Sequence, residues 1–146
     1  MSQYYGYTRT SYFHIIDEAA FRAMIAEVVT SQDAEIYIWK GKDEECKDTF
    51  AFGCYSDIRG IRPADSNPDS DNEPDYDYFI EKLQECLVDG DAVIITEVGY
   101  EKLNYLVAQA AIVGKHKWKF IDFHDMTVGM VHEVEPNWPE GTRLDY

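Results

Sequence analysis

The spacing of the apolar residues along this chain predicts two amphipathic helices. In the first, apolar residues recur at the i, i+3, i+4, i+7 spacing of one helical face, namely Phe21, Met24, Ile25 and Val28. Asp17 is the expected N-cap, because its carboxylate can accept the free N–H groups of the first turn, and the helix is expected to end near Val29. The second helix is expected to begin near Asp75 or Asp77 and to end near Val88. Its apolar stripe consists of Phe79, Ile80, Leu83 and Leu87.

Segments that alternate between apolar and polar residues, or that are continuously apolar, predict the strands. These segments are 11–16, 34–40, 49–55, 91–98, 103–113 and 117–123. The continuous apolar run within 91–98 indicates burial on both faces of the sheet. Residues 1–10 are expected to form an arm or a short edge strand, and the segment 124–135 stays open between a helix and irregular structure.

The remaining segments are polar and complete the predicted fold. The stretch 56–75 has few apolar residues and three prolines, so a long acidic loop is expected there, and 136–146 is expected to be a polar coda. A predicted helix followed by two predicted strands occurs twice, at 18–55 and at 77–113. This order is consistent with a tandem α-β-β arrangement. The predicted fold class is α+β, a single domain with a largely antiparallel sheet and two helices on one face.

Charge is strongly negative and unevenly distributed along the chain. The 146 residues carry 28 acidic and 13 basic side chains, a formal net charge of −15. Residues 63–101 alone hold twelve acids and one base, Lys82, which gives a local charge of −11. Such a surface attracts cationic partners and disfavours nucleic acid and anionic membranes. The hydrophobic fraction of 45% nevertheless indicates a folded core.

The acidic loop and the helix after it form the candidate partner-binding site. The acids continue from the loop onto the exposed side of the helix, and tyrosines beside them are typical of interface anchors. The candidate residues are Asp69, Asp71, Glu73, Asp75, Tyr76, Asp77, Tyr78, Glu81 and Glu85. A solvated linker without a partner stays open as the alternative. A calcium-binding EF-hand is excluded, because Pro74 stands where its loop needs glycine and Ile80 where it needs glutamate.

No residue pattern in the chain identifies a catalytic, cofactor or metal site. Cys46, Cys54 and Cys86 include no Cys-x-x-Cys pair, so neither a disulfide framework nor structural zinc is expected. The last three of the four histidines are eight residues apart, which is not the spacing of a compact metal site. The N-terminal segment lacks the features of a signal peptide. We therefore expect a non-enzymatic cytoplasmic protein, with no cofactor and no membrane contact.

The segment from Gly90 to Leu106, GDAVIITEVGYEKLNYL, resembles small accessory proteins of phages and conjugative elements in Gram-positive bacteria. In size and acidity the chain also resembles anti-CRISPR and antirestriction proteins. These resemblances imply an inhibitor that mimics the charge of nucleic acid and blocks a basic groove of a CRISPR effector or another nucleic-acid-processing protein. An immunity protein against a basic toxin nuclease stays open, as does a small-molecule-binding or enzymatic domain with the acidic loop as a lid. A homodimer formed through an exposed strand edge also stays open.

Overall fold

A computed structural model describes residues 5–64, 73–101 and 105–139 of the chain. In chain order the elements are β1 (Tyr5–Thr10), α1 (Glu18–Ala26), β2 (Val28–Thr30), a 3-10 turn (Ser31–Asp33), β3 (Tyr37–Lys42), β4 (Asp48–Cys54), β5 (Ile58–Ile61), α2 (Tyr76–Cys86), β6 (Ala92–Glu101), β7 (Tyr105–Gly114), β8 (Trp118–Asp122) and α3 (Phe123–Val134). Six strands form one sheet in the order β3-β4-β1-β6-β7-β8, and each neighbouring pair is antiparallel. Strands β2 and β5 pair separately. The predicted α+β class with a largely antiparallel sheet is confirmed.

Helices α1 and α2 pack on one face of the sheet and enclose the core between them. Phe21 of α1 and Phe79 of α2 both contact Phe52 of β4, with ring centroids 6.1 and 6.3 Å apart. Aromatic and aliphatic side chains from both halves of the chain are buried around this contact, among them Phe13, Phe50, Ile80, Leu83, Leu87, Val93 and Val113. The prediction that both helices share one face is therefore confirmed.

Aspartate side chains begin both helices, as their sequences predict. Asp17 Oδ1 accepts a hydrogen bond from Ala19 N at 2.9 Å. Asp75 Oδ1 accepts from Asp77 N at 2.9 Å and from Tyr78 N at 3.3 Å. Each cap satisfies N–H groups that have no partner within the helix, so the start of α2 is set by its own sequence.

The N-terminal part of the chain differs from two strand predictions. The expectation of an arm or edge strand at 1–10 is wrong for its described part, because β1 pairs with β4 on one side and β6 on the other. The segment 11–16 is not a continuous strand. It makes isolated bridges, one between Phe13 and Phe50 and one between Ile15 and Leu87, as the chain leaves the sheet and turns into α1.

The predicted loop 56–75 contains a strand. β5 pairs with β2, and β2 begins where the first helix was expected to continue, so α1 ends at Ala26 instead of near Val29. Ile58 and Ile61 of β5 are buried, but a four-residue strand is too short to produce a periodic signal in the sequence. Residues 65–72, which include much of the acidic loop, lie outside the described residues.

Strand β6 is open to solvent on one side. Val93 and Ile95 are buried, whereas Ile94 and Val98 are 46% and 42% exposed. The prediction of burial on both faces is therefore wrong for the monomer, because α1 and α2 cover one face of the sheet. The segment after β8, whose structure the sequence left open, forms α3 against β7 and β8.

Candidate protein-binding surface and a buried carboxyl group

Helix α2 separates its apolar side chains from its acidic ones. Its buried residues are Phe79, Ile80, Leu83 and Cys86. Asp77, Glu81 and Glu85 follow one another at four-residue intervals, and all three are exposed. This spacing places them on one side of the helix, opposite the buried stripe. These three residues are called the acidic helix face below.

The acidic helix face is poorly neutralised by nearby cations. The carboxylate of Glu85 lies 3.8 Å from the ammonium of Lys82, and 71% of the Glu85 side chain is exposed. Asp77 and Glu81 form no ion pair within the described part of the chain. Lys115 approaches the end of α2, but its ammonium donates to the carbonyl oxygen of Leu87 at 2.9 Å. That contact satisfies the backbone at the C-terminus of α2 and leaves the helix carboxylates available to a partner.

The other acids of the predicted site either have structural contacts or lie outside the described residues. Asp75 caps α2 through its side chain. The carboxylate of Glu73 lies 3.5 Å from the guanidinium of Arg59, and 68% of the Glu73 side chain is exposed. Asp69 and Asp71 lie outside the described residues. The structure therefore brings three of the seven predicted acids together on one rigid element.

The two tyrosines of the predicted site pack against the fold. The ring of Tyr76 lies 5.6 Å from that of Phe79 and 6.1 Å from that of Trp118. Tyr78 is half-buried, with the ammonium of Lys82 at 5.2 Å from its ring centroid. Neither ring stands clear of the fold, so the acidic helix face lacks the projecting aromatic anchors that the sequence suggested.

The imidazole of His14 contacts two further acids of the chain. His14 Nε2 lies 2.8 Å from Asp43 Oδ2, and His14 Nδ1 lies 2.9 Å from Asp91 Oδ2. Hydrogen bonds to Asp43 and then to Asp91 raise the pKa of His14, and the same contact with His14 lowers the pKa of Asp43. The imidazole ties the turn between β3 and β4 to the start of β6. Asp91, one of the acids that make residues 63–101 so negative, is therefore occupied within the fold.

Glu97 of β6 is a half-buried carboxyl group on the helix-covered face of the sheet. The pKa of Glu97 is raised to about 7, mainly by burial; a hydrogen bond from Gln109 Nε2 at 3.1 Å opposes the rise and the charge of Asp57 contributes to it. Burial and the charge of Glu97 raise the pKa of Tyr76 to about 12. The sequence does not predict a role for Glu97, because the order of apolar and polar residues along β6 does not show which face of the sheet the helices cover.

The Glu97→Gln variant is expected to remove a pH-dependent loss of stability. The pKa of Glu97 rises from 4.5 to about 7 on folding, so the free energy of unfolding of the wild type falls as the pH rises between these values. After allowance for partial exposure, the variant should exceed the wild type by about 2 kcal/mol at pH 8 and lie close to it at pH 4. Urea unfolding of both proteins over this range measures the difference.

Glu85→Gln is the matched control for this pH series. It makes the same chemical change at a side chain that is 71% exposed. Its difference from the wild type should change much less with pH, because solvent screens an exposed carboxylate. A stability difference for Glu97→Gln that stays constant between pH 4 and pH 8 would contradict the assignment of a buried, partly protonated carboxyl group.

A groove of about 360 Å³ lies between α1 and the β3 edge of the sheet. Apart from the guanidinium of Arg22, its lining is aliphatic and consists of Ile25, Ala26, Val28, Ala34, Ile36 and Ile38. If the chain bound a small molecule with the acidic loop as a lid, we would expect a pocket lined by tyrosine and glutamate, and the lining of this groove includes neither. The groove therefore gives that alternative no support.

The described residues offer no other ready functional assignment. Within 5–64, 73–101 and 105–139, no three Asp, Glu, His or Cys side chains come together as a metal site. Of the helices in these ranges, none is long and apolar enough to cross a membrane. Comparison of the chain with protein-family models, with curated proteins and with solved structures finds no match.

Proposed function

We propose that this chain is a non-enzymatic interaction protein whose acidic helix face binds a basic groove of a nucleic-acid-processing protein and excludes nucleic acid from it. The partner class that the sequence favours is a CRISPR effector. Support comes from three exposed carboxylates that share one face of α2, with Glu73 nearby in sequence. A helix that is anchored in the core presents them in a fixed arrangement, which limits the entropy lost on binding.

The observation that carries this proposal is that the three carboxylates share one helix face although they repel each other. Like charges four residues apart repel each other on a helix surface. Glu85 also lies in the last turn of α2, which contains no basic residue, and a negative charge there is unfavourable to the helix dipole. A sequence that retains three mutually repelling charges on one face is typical of a surface kept for binding.

The spacing of the acidic helix face suits a groove that holds phosphates. Successive carboxylates are four residues apart, a rise of about 6 Å along the helix axis. Two phosphate steps along one strand of B-DNA span about 7 Å of its axis. Lysine and arginine side chains placed for phosphates can therefore form charge-assisted hydrogen bonds with these carboxylates.

Neutralising the acidic helix face tests the proposal. In the triple variant Asp77→Asn, Glu81→Gln, Glu85→Gln, the affinity for the effector at low salt is expected to fall at least about tenfold, because three charge pairs are lost. Inhibition of nucleic-acid binding should fall in parallel. The wild-type affinity should itself weaken steeply as salt is added. Surface plasmon resonance and competition with labelled DNA measure the two quantities.

A second triple variant separates the local face from the overall charge. Glu35→Gln, Glu44→Gln, Glu133→Gln removes three charges from exposed positions outside α2. It should bind nearly as the wild type does, because its charges lie away from the acidic helix face. Equal losses of affinity in the two triple variants would show that α2 is not the docking surface. An α2 variant that binds at low salt as tightly as the wild type would show the same.

A further inference from the structure

The sheet face opposite α1 and α2 is apolar and open to solvent. The strand registers place a set of large exposed side chains there: Tyr5, Tyr7, Tyr37, Trp39, Ile94, Val98, Tyr100, Leu106 and Ile112. Their exposed fractions lie between 37% and 54%. This set is called the outer face below.

The outer face excludes the acidic residues that dominate the rest of the chain. The chain has 28 acids, yet the outward register positions of the six strands hold no Asp or Glu among the described side chains. The outward charged residues are Arg9 and Lys119, and the guanidinium of Arg9 lies 4.0 Å from the centroid of the Trp39 ring. Another copy of the chain can therefore approach this face without repulsion between carboxylates.

The aromatic side chains of the outer face pack on one another. Tyr5 stacks on Tyr100 with ring centroids 5.5 Å apart, and Tyr7 meets Tyr55 edge-on at 5.6 Å. Tyr37 lies 6.2 Å from the same Tyr55 ring. Rings that already support each other lose little freedom on binding, and tyrosine, tryptophan and arginine are enriched in interface hot spots.

We propose that the outer face is the interface of a homodimer and that the outer face of a second copy covers it about a twofold axis. At about 200 Å² for each full aromatic side chain, the five aromatic residues of the outer face expose roughly 460 Å², and its four aliphatic residues add to this area. A stable protein interface buries about 800 Å² on each partner, and monomers rarely expose apolar patches above about 600 Å². The outer face has the size that an isologous dimer needs.

The edges of the sheet are less suited to self-association than its outer face. Lys40 and Lys42 lie on the edge strand β3, and Lys119 lies on the other edge strand, β8. Lysines on an edge oppose the addition of another strand. Two sheets that pack face to face, about 10 Å apart, avoid Lys40 and Lys42, which lie at inward register positions, and bury the aromatic side chains instead.

The dimer would leave α1 and α2 of both copies on its two outer sides. Each acidic helix face would then stay accessible, so one dimer would present two of them. The inference does not rest on the proposed function, since it concerns the opposite side of the sheet and another partner.

Sedimentation equilibrium of the wild type and of Val98→Glu tests the proposal. Val98 is 42% exposed on the central strand β6, and glutamate there would place two like charges in the interface. The wild type should dimerise with a dissociation constant between about 1 and about 500 µM. Val98→Glu should raise that constant at least about tenfold. Val134→Glu, at an 85% exposed position of α3, is the matched control and should dimerise as the wild type does.

A second measurement on the wild type alone covers the case in which Val98→Glu does not fold. Hydroxyl-radical labelling of Tyr7 and Trp39 should fall as the protein concentration rises, while labelling of Phe123, which is 62% exposed, should not. Monomeric wild type at every concentration, or equal effects of the two glutamate variants, would overturn the proposal. If Trp39 is protected from labelling only after single-stranded DNA or another protein is added, the outer face binds that molecule instead. This result would also overturn the dimer proposal.

Discussion

The Phe52→Ala variant is expected to lose about 4 kcal/mol of its free energy of unfolding, because truncation of a fully buried phenylalanine removes its apolar surface and leaves a cavity. Phe52 is wholly buried. Its ring centroid lies 6.1 Å from those of Phe13 and Phe21 and 6.3 Å from that of Phe79. These rings come from the segment before α1, from α1 and from α2, so the loss weakens the packing of both α1 and α2 on the sheet.

Urea unfolding of Phe52→Ala beside Phe123→Ala measures this effect. Phe123 is 62% exposed at the start of α3, so the same truncation there should change the free energy of unfolding by less than about 0.5 kcal/mol. Comparable losses in the two variants would mean that Phe52 does not connect the helices to the sheet. A loss below about 1 kcal/mol at Phe52 would have the same meaning.

The helices could be predicted from the sequence because their signals are local. Asp17 and Asp75 cap turns that begin one residue later, and the apolar stripe of α2 repeats within three turns. The order of the strands could not be predicted in the same way. Thr8 pairs with Cys54 on one side and with Glu97 on the other, and no local pattern connects three positions so far apart in sequence.

The sequence predicts burial of β6 on both faces, and the physical reason why this prediction is wrong for the monomer bears on the proposed dimer. A continuous apolar run indicates that both faces of a strand are covered, but it does not indicate what covers them. In the monomer α1 and α2 cover one face, and Ile94 and Val98 stay exposed on the other. A second sheet against the outer face would bury both residues. The run from Ala92 to Ile95 would then have the environment that its sequence indicates.

The candidate site was predictable where it depends on the helical period. The positions of Asp77, Glu81 and Glu85 follow from the α2 stripe, because residues four apart share a face. The inward packing of Tyr76 in α2 depends on Trp118, which belongs to strand β8. The raised pKa of Glu97 depends in the same way on burial by distant elements. The sequence around Tyr76 and the sequence around Glu97 therefore do not predict these interactions.

The Gly60→Ala variant is expected to lose about 3 kcal/mol of its free energy of unfolding, through backbone strain together with a steric clash. Gly60 has φ +133°, and a Cβ atom there would overlap the carbonyl group of Asp75 and lie 2.7 Å from Tyr76 N. The neighbouring Ile61 exchanges backbone hydrogen bonds with Asp75, at 2.9 and 3.2 Å. An alanine would therefore push β5 away from the N-cap that begins α2.

Gly90→Ala separates the clash from the strain. Gly90 also has a positive φ, +89°, but a Cβ atom there would meet no atom within 4 Å. We expect that variant to lose about 1 kcal/mol, from the backbone conformation alone. Because α2 carries the acidic helix face, Gly60→Ala should also bind a basic partner more weakly than Gly90→Ala does, when both are measured under conditions that keep them folded. Equal stability of the two variants would mean that the close approach of β5 to Asp75 does not hold the start of α2 in place.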